Sequence, residues 1–272
     1  MSWARRKLFD VAARVLTKPR AKYDLLLPVD LEALRRTLRK GDVILVDGEQ
    51  RVSQVIKYLT QSTWSHAVLY IGDELVRRKP ARHAALLERH AADAEHLIVE
   101  ALMEEGVTAS PLAKYERYNL RVCRPIGLRR DDLARILDEV LGQLGHRYDV
   151  QNVVDLARYF FPVSLIPRRL RRRALGFGSG LPTEVICSSM IARAFQNVGF
   201  PILPALTPDP EPRPRRRWAE LLGRMAPYPA IFHRQVETLI TPRDFDLSPY
   251  FEVVKIAPVE RAKFDYRRIR WA

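Results

Sequence analysis

The chain has 272 residues, with 46 Lys and Arg against 32 Asp and Glu, for a formal net charge of +14. Its only cysteines are Cys123 and Cys187, which excludes both a disulfide-framed secreted module and a four-cysteine zinc site. A hydrophobic content of 47% excludes wholesale disorder, and no apolar run approaches the ~20 residues of a membrane-spanning helix.

Residues 3–20 read as a basic amphipathic helix. Leu8, Ala12, Val15 and Leu16 recur at helical spacing among Arg5, Arg6, Lys7, Arg14 and Lys18, with Trp3 and Phe9 beside them, and Lys18-Pro19 ends the pattern. Two readings stand: a helix docked on the domain, or one lying at an anionic headgroup boundary, which suits Trp and Phe beside Arg and Lys. The segment lacks the long apolar core of a secretory signal. The expected location is therefore cytoplasmic, at the inner membrane face under the second reading.

A short helix follows at Leu31 to Leu38. Lys40-Gly41-Asp42 turns into a buried strand, Val43 to Val46. Val52, Val55, Ile56 and Leu59 mark a helix, Thr60 to Ser65 a polar loop, and His66 to Gly72 a strand. Residues 73–96 are charged, contain His83, His90 and His96, and read as an exposed excursion. Leu97 to Leu102 is an apolar strand interrupted by Glu100, and Gly106-Val107 begins another extended piece. Leu120 to Arg124 is a strand ended by Pro125. Leu133, Ile136, Leu137, Val140, Leu141 and Leu144 form the stripe of a helix over 131–144, which Gly145 stops. After a loop at 146–149, Val150 to Tyr159 reads as a helix. Aromatic, Arg-rich (168–173) and Gly-rich (176–180) stretches come next. A helix carrying Ile186, Cys187, Met190, Ile191, Ala194, Phe195 and Val198 ends at Gly199. Pro204 to Pro214 reads as irregular surface chain, and Phe251 to Ile256 as a last strand. Strand runs followed by helices predict an α+β fold with an antiparallel sheet.

Cys187 lies near the start of a helix, where the helix dipole and unpaired N–H groups favour a thiolate and can hold an oxyanion. On its own, a cysteine in an apolar stripe is more often core. His66 opens a strand after a polar loop, at a sheet edge suited to a general base; the bland alternative is a hydrogen-bonded surface histidine. Glu100, inside an apolar strand, needs a partner if buried and fits the role of orienting a histidine; otherwise it points outward from an edge strand. Cys123 reads as core. His83, His90 and His96 lack metal-ligand spacing, and Gly176 to Gly180 lacks the features of a phosphate loop.

Taken in order, Gly41-Asp42-Val43-Ile44-Leu45-Val46, Ser65-His66-Ala67-Val68-Leu69-Tyr70-Ile71-Gly72, Val99-Glu100-Ala101 with Gly106-Val107, Tyr148-Asp149, Ile186-Cys187-Ser188 and Thr241-Pro242 resemble the YiiX/YaeF-like cysteine hydrolases. These are relatives of NlpC-type peptidases and lecithin:retinol acyltransferase-like proteins, with a circularly permuted papain-like fold in which the histidine precedes the cysteine. The resemblance covers roughly Lys40 to Ile256. It implies Cys187 as nucleophile, His66 as general base and then acid, and Glu100 as orienter, with no cofactor or metal required. Ser189 departs from the acidic residue that often follows Cys-Ser in the family. The implied organisation is a basic amphipathic N-terminal extension over 1–39, a permuted papain-like hydrolase domain over 40–257 and a basic tail over 258–272.

The function so implied is a cysteine hydrolase cleaving an amide or ester, including thiol protease, amidase and acyltransferase forms. Its substrate is an amide, a peptide or an acyl lipid, and the basic N-terminal helix points to an anionic membrane surface as a partner. The alternative is a non-catalytic basic protein on a papain-like scaffold that binds membrane or nucleic acid. No nucleic-acid motif accompanies the Arg clusters, so no specific nucleic-acid partner is expected.

Overall fold

Four short apolar segments build the centre of the sheet because their side chains alternate between two buried faces. In β1 (Val43–Val46) and β2 (His66–Gly72), Val43, Leu45, Ala67, Leu69 and Ile71 enter one core, while Ile44, Val46, Val68 and Tyr70 enter another. β3 (Leu97–Leu102) divides in the same way, with Leu97, Val99 and Ala101 on the first face and Ile98 on the second. In β5 (Leu120–Pro125), Cys123 faces the first core and Val122 the second. With β4 (Gly106–Pro111) and β8 (Phe251–Val254) at the edges, the antiparallel sheet has the order β4-β3-β2-β1-β5-β8. The structure, a computed structural model, describes residues 29–78, 84–102, 105–146, 184–208 and 230–256.

The helices cover both faces. α1 (Leu31–Thr37) begins at Asp30, whose side chain caps the Ala33 N–H, and drives Leu34 into the second core. α2 (Arg51–Thr60) links β1 to β2. The short α3 (Glu74–Arg78) and α4 (Ala84–Arg89) lie within the charged excursion, which is not wholly exposed, since Leu75 is fully buried. α5 (Arg130–Gly142) packs Ile136, Leu137, Val140 and Leu141 into the first core. α6 (Glu184–Asn197) lies beside α5 and against β2 and β3, adding Met190, Ile191, Ala194 and Phe195.

The predicted helices over 3–20 and 150–159, and the Arg-rich stretches at 168–173 and 213–217, lie outside the described residues. Within the stretch read as irregular, the structure instead has β6 (Ala205–Pro208), paired antiparallel with β7 (Ala230–His233). This two-stranded ribbon joins distant segments, and its strands are too short and too weakly alternating to read locally. α7 (Pro242–Leu247) is also additional to the predicted elements. Thr241 and Asp244 form a reciprocal capping box at its start, with Pro242 in the first turn.

One polar knot ties α1, β1 and β5 together. Gly41, at φ +91, turns the chain into β1 and leaves Asp42 only 1% exposed. Arg124 grips Asp42 with two parallel bonds, Nε to Oδ1 at 2.9 Å and NH2 to Oδ2 at 2.7 Å, and also donates to the Thr37 carbonyl at 2.7 Å. The Arg39 N–H donates to the same carboxylate at 2.8 Å. Removing one partner of such a buried pair strands the other charge. Asp42→Ala is therefore expected to cost about 3–5 kcal/mol in urea unfolding. Glu116→Ala, which removes an ion pair with Arg117 at the surface, should stay within ~0.5 kcal/mol. Equal losses in the two variants would mean that the knot does not hold these elements together.

Candidate active site

Three segments far apart in sequence meet at the starting end of β2. His66 is its first residue. Extending the Leu69–Val99 and Tyr70–Ile98 register sets Val68 opposite Glu100, so His66 and Glu100 are diagonal neighbours on one sheet face. His66 Nε2 lies 3.1 Å from Glu100 Oε2. Cys187 is the fourth residue of α6, within the first turn. Its thiol hydrogen-bonds His66, whose Nε2 is engaged by Glu100. His66 and Cys187 both line a cleft of about 140 Å³, together with Val46, Ser65, Lys114 and Tyr115.

Glu100 does not point outward from an edge strand. β3 lies between β2 and β4, and Glu100 is 0% exposed. A carboxylate buried in this way must be supplied with donors. Besides His66, Tyr115 Oη donates to Oε2 at 2.5 Å and Lys114 Nζ to Oε1 at 2.6 Å. Both residues lie in the 3-10 turn Leu112–Tyr115 that follows β4, and the β3–β4 pairing folds this turn back toward Glu100. Sequence reasoning missed Lys114 and Tyr115, because no local spacing connects them to position 100. Only the hairpin register does.

Charge pairing sets the acid–base balance. Burial acts to lower the pKa of His66, but the charge and hydrogen bond of Cys187, followed by those of Glu100, outweigh it and raise it to about 10. Burial likewise opposes ionisation of Cys187. The charge and hydrogen bond of His66, with backbone bonds at Ala67 and Ser188, overcome that and bring the thiol below its ordinary range. For Glu100, burial is again the largest influence and is overcome by His66 and Lys114, so its pKa falls to about 2. Each of the three groups thus favours the charged form of its neighbour. Cys123 is the contrast. It is also buried, at 0% exposure, but burial and the charge of Asp246 push its pKa up to about 12.

The remaining polar groups shape the cleft wall. The Ser65 hydroxyl accepts the Gly48 N–H at 2.9 Å. A Cβ at Gly48 would come within 2.4 Å of Ser53 Oγ and 2.7 Å of Ser65 Oγ, so no larger residue fits this wall unless those side chains shift. Tyr118 Oη donates to Glu49 at 2.9 Å, and Ser188 Oγ donates to the Ile240 carbonyl at 2.6 Å, fixing the turn of α6 next to Cys187. His96, one of the histidines of the charged excursion, is bonded to Tyr70 Oη at 2.9 Å. Among the described residues, no group of three or more His, Cys, Asp or Glu is placed to hold a metal ion.

Residues 37–162 match the permuted papain-like amidase enzymes of the YaeF/YiiX, C92 family. The matched stretch contains His66 and Glu100 and ends before Cys187. Among solved structures, that of the metalloprotein yiiX from Escherichia coli O157:H7 is 15% identical; the comparison covers 80% of this chain and 97% of that one, at a TM-score of 0.45. Over residues 37–162 the chain is thus similar to the YaeF/YiiX permuted papain-like amidases, and its antiparallel sheet flanked by helices is the α+β architecture expected from the sequence.

Proposed function

We propose that the protein is a thiol hydrolase that cleaves an amide or ester through a thioester on Cys187, with His66 as acid and base and Glu100 as the orienter of His66. The observation that carries this reading is the Cys187–His66–Glu100 row, assembled from three distant segments at the edge of one cleft. The match of residues 37–162 to permuted papain-like amidases supports the same reaction class.

In the forward step, Sγ of the thiolate attacks the carbonyl carbon, and the developing oxyanion is met by N–H groups of the first turn of α6, which have no intrahelical acceptor. The carbon–nitrogen or carbon–oxygen bond breaks, and the leaving group takes the His66 proton. Water then attacks the thioester, giving one proton to His66 and releasing the acid and the thiolate. An alcohol or amine in place of that water would make the same cycle an acyl transfer.

The reading predicts different fates for the two cysteines. Brief treatment with iodoacetamide near neutral pH should modify Cys187 and spare Cys123, as read by peptide mass spectrometry, and preferential modification of Cys123 in the folded protein would sink the assignment. With a broad panel of amide, ester and acyl-lipid substrates, Cys187→Ala and His66→Ala should each abolish turnover, and the double variant should be no worse, because the two act as one unit. Glu100→Gln should be milder. The pH profile should be a bell. Activity falls at low pH as Cys187 gains a proton, below the usual thiol range, and at high pH as His66 loses its proton, toward about 10. An alkaline limb near the ordinary imidazole value of ~6.5 would contradict the ion pair.

We further propose that the substrate is presented at an anionic membrane surface, a reading supported by the first 22 residues, where Arg5, Arg6, Lys7, Arg14, Lys18, Arg20 and Lys22 face a single acid, Asp10. Among the described residues, no helix is long and apolar enough to cross a membrane. Each basic residue contributes on the order of 1 kcal/mol near an anionic leaflet, less at high salt. The protein should float with phosphatidylserine-rich vesicles, detach at high salt, and lose binding when residues 1–22 are deleted with folding retained. Undiminished flotation of the truncated protein would remove this segment as the anchor.

A further inference from the structure

The described site holds a fourth charge that the three proposed catalytic roles leave unused. Lys114 Nζ sits 2.6 Å from Glu100 Oε1, on the side of the carboxylate away from the oxygen that faces His66. Its side chain is 37% exposed and lines the cleft that contains Cys187. The row therefore alternates in sign, from the buried Cys187 thiolate through His66 and Glu100 to the partly exposed Lys114. The first three alone carry a net negative charge, and the fourth brings the row to zero.

We propose that Lys114 is a positioning residue of this site, whose charge neutralises Glu100 and thereby permits Cys187 to rest as a thiolate. The inference rests on the thiol-hydrolase reading above and adds to it a residue that touches neither sulfur nor substrate carbonyl. Its sign follows from charge alone. Removing a nearby cation raises the pKa of every acid in the row. Without Lys114 the cheapest way for the buried site to regain neutrality is for Cys187 to take up a proton. Tyr115, donating to the other oxygen of Glu100, supplies orientation without charge. Among the described residues, the other ionisable groups at the cleft are Glu49 with Tyr118, and the neighbouring Asp47–Lys57 pair. Lys57 is engaged by Asp47 and the Gly48 carbonyl, so it does not stand in for Lys114.

The test needs no substrate. The rate of Cys187 alkylation by iodoacetamide is followed against pH by peptide mass spectrometry in the full chain, for wild type, Lys114→Met, Lys114→Gln and Lys114→Arg. Met keeps the stem and removes the charge, whereas Arg keeps the charge. In wild type the half-maximal pH should lie below that of a free thiol. In Lys114→Met and Lys114→Gln it should move up by about one unit, which is roughly tenfold less modification at a fixed pH below the midpoint, and Lys114→Arg should restore the wild-type curve. A role limited to covering the cleft would leave the Met curve where wild type lies, because the stem packing is retained. Curves that superimpose for wild type and both uncharged variants, with a depressed midpoint in all, would overturn the Lys114 inference and leave the hydrolase reading standing. A wild-type midpoint at the free-thiol value would overturn both. Far-ultraviolet circular dichroism and the melting temperature of each variant confirm that the compared proteins are folded.

Discussion

The arrangement depends on one buried carboxylate. Glu100 is 0% exposed, and an ionised group so placed is tolerated only when its oxygens are filled with donors. Those donors come from the start of β2 and from the turn after β4, so satisfying Glu100 requires the β2–β3 and β3–β4 registers to be correct together. A one-residue slip of β3 would carry Glu100 to the face covered by α6 and place an apolar side chain against His66. The linkage has a definite sign. Because the pKa of Glu100 is depressed, its contribution to stability is fully present above the unfolded carboxylate value, ~4.3, and is lost as pH falls through about 2. His66 is raised, so its contribution is fully present below ~6.5 and is lost as pH rises through about 10. Across the neutral range the site therefore helps to hold the fold that builds it.

Scaffold and site occupy different parts of the sheet. The Asp42–Arg124 knot joins α1 to β1 and β5, while the charged row spans β2, β3 and the first turn of α6. Both are buried, yet they use charge differently. The knot is a bidentate pair with the carboxylate also capped by backbone N–H, which leaves no proton to move. In the row, each group favours the charged form of its neighbour, so their titrations are coupled. The two cysteines make the same point. Cys123 and Cys187 both belong to the first core, and burial opposes ionisation in each. Only Cys187 has an imidazole against its sulfur.

Most of the sheet was legible because its strands are short apolar runs bounded by turns, and the helices over 131–144 and 186–198 because their stripes keep a 3.6-residue period. Glu100 stood out in the sequence as a lone acid in an apolar strand. Its alternatives, a buried orienter or an outward-facing edge residue, could be separated only by knowing that β4 lies outside β3. Lys114 and Tyr115 carried no such mark, since a Lys-Tyr pair in a polar stretch is ordinary until the hairpin folds it back. β6 and β7 were hidden for a related reason, each being four residues long with its partner far along the chain. α7 is a different kind of miss: Thr241, Pro242 and Asp244 spell out a helix start, whereas the sequence reading uses Thr241-Pro242 only as part of a motif.

A histidine with a pKa near 10 looks poorly suited to proton transfer at neutral pH, where an efficient acid or base titrates close to the working pH. The order of its causes resolves this. The strongest influence holding the proton on His66 is the Cys187 thiolate, ahead of Glu100. In the proposed reaction, sulfur that has attacked a carbonyl is a neutral thioether-like centre and that influence is lost, while burial continues to favour the neutral ring. The pKa of His66 must then fall, which drives its proton onto the leaving group and leaves a neutral imidazole ready to take a proton from water. Release of the acid restores the thiolate and with it the high pKa. In the proposed cycle the charge that makes the resting site inert as a base is thus spent in the first step and regained in the last, while Lys114 and Tyr115 keep donating to Glu100.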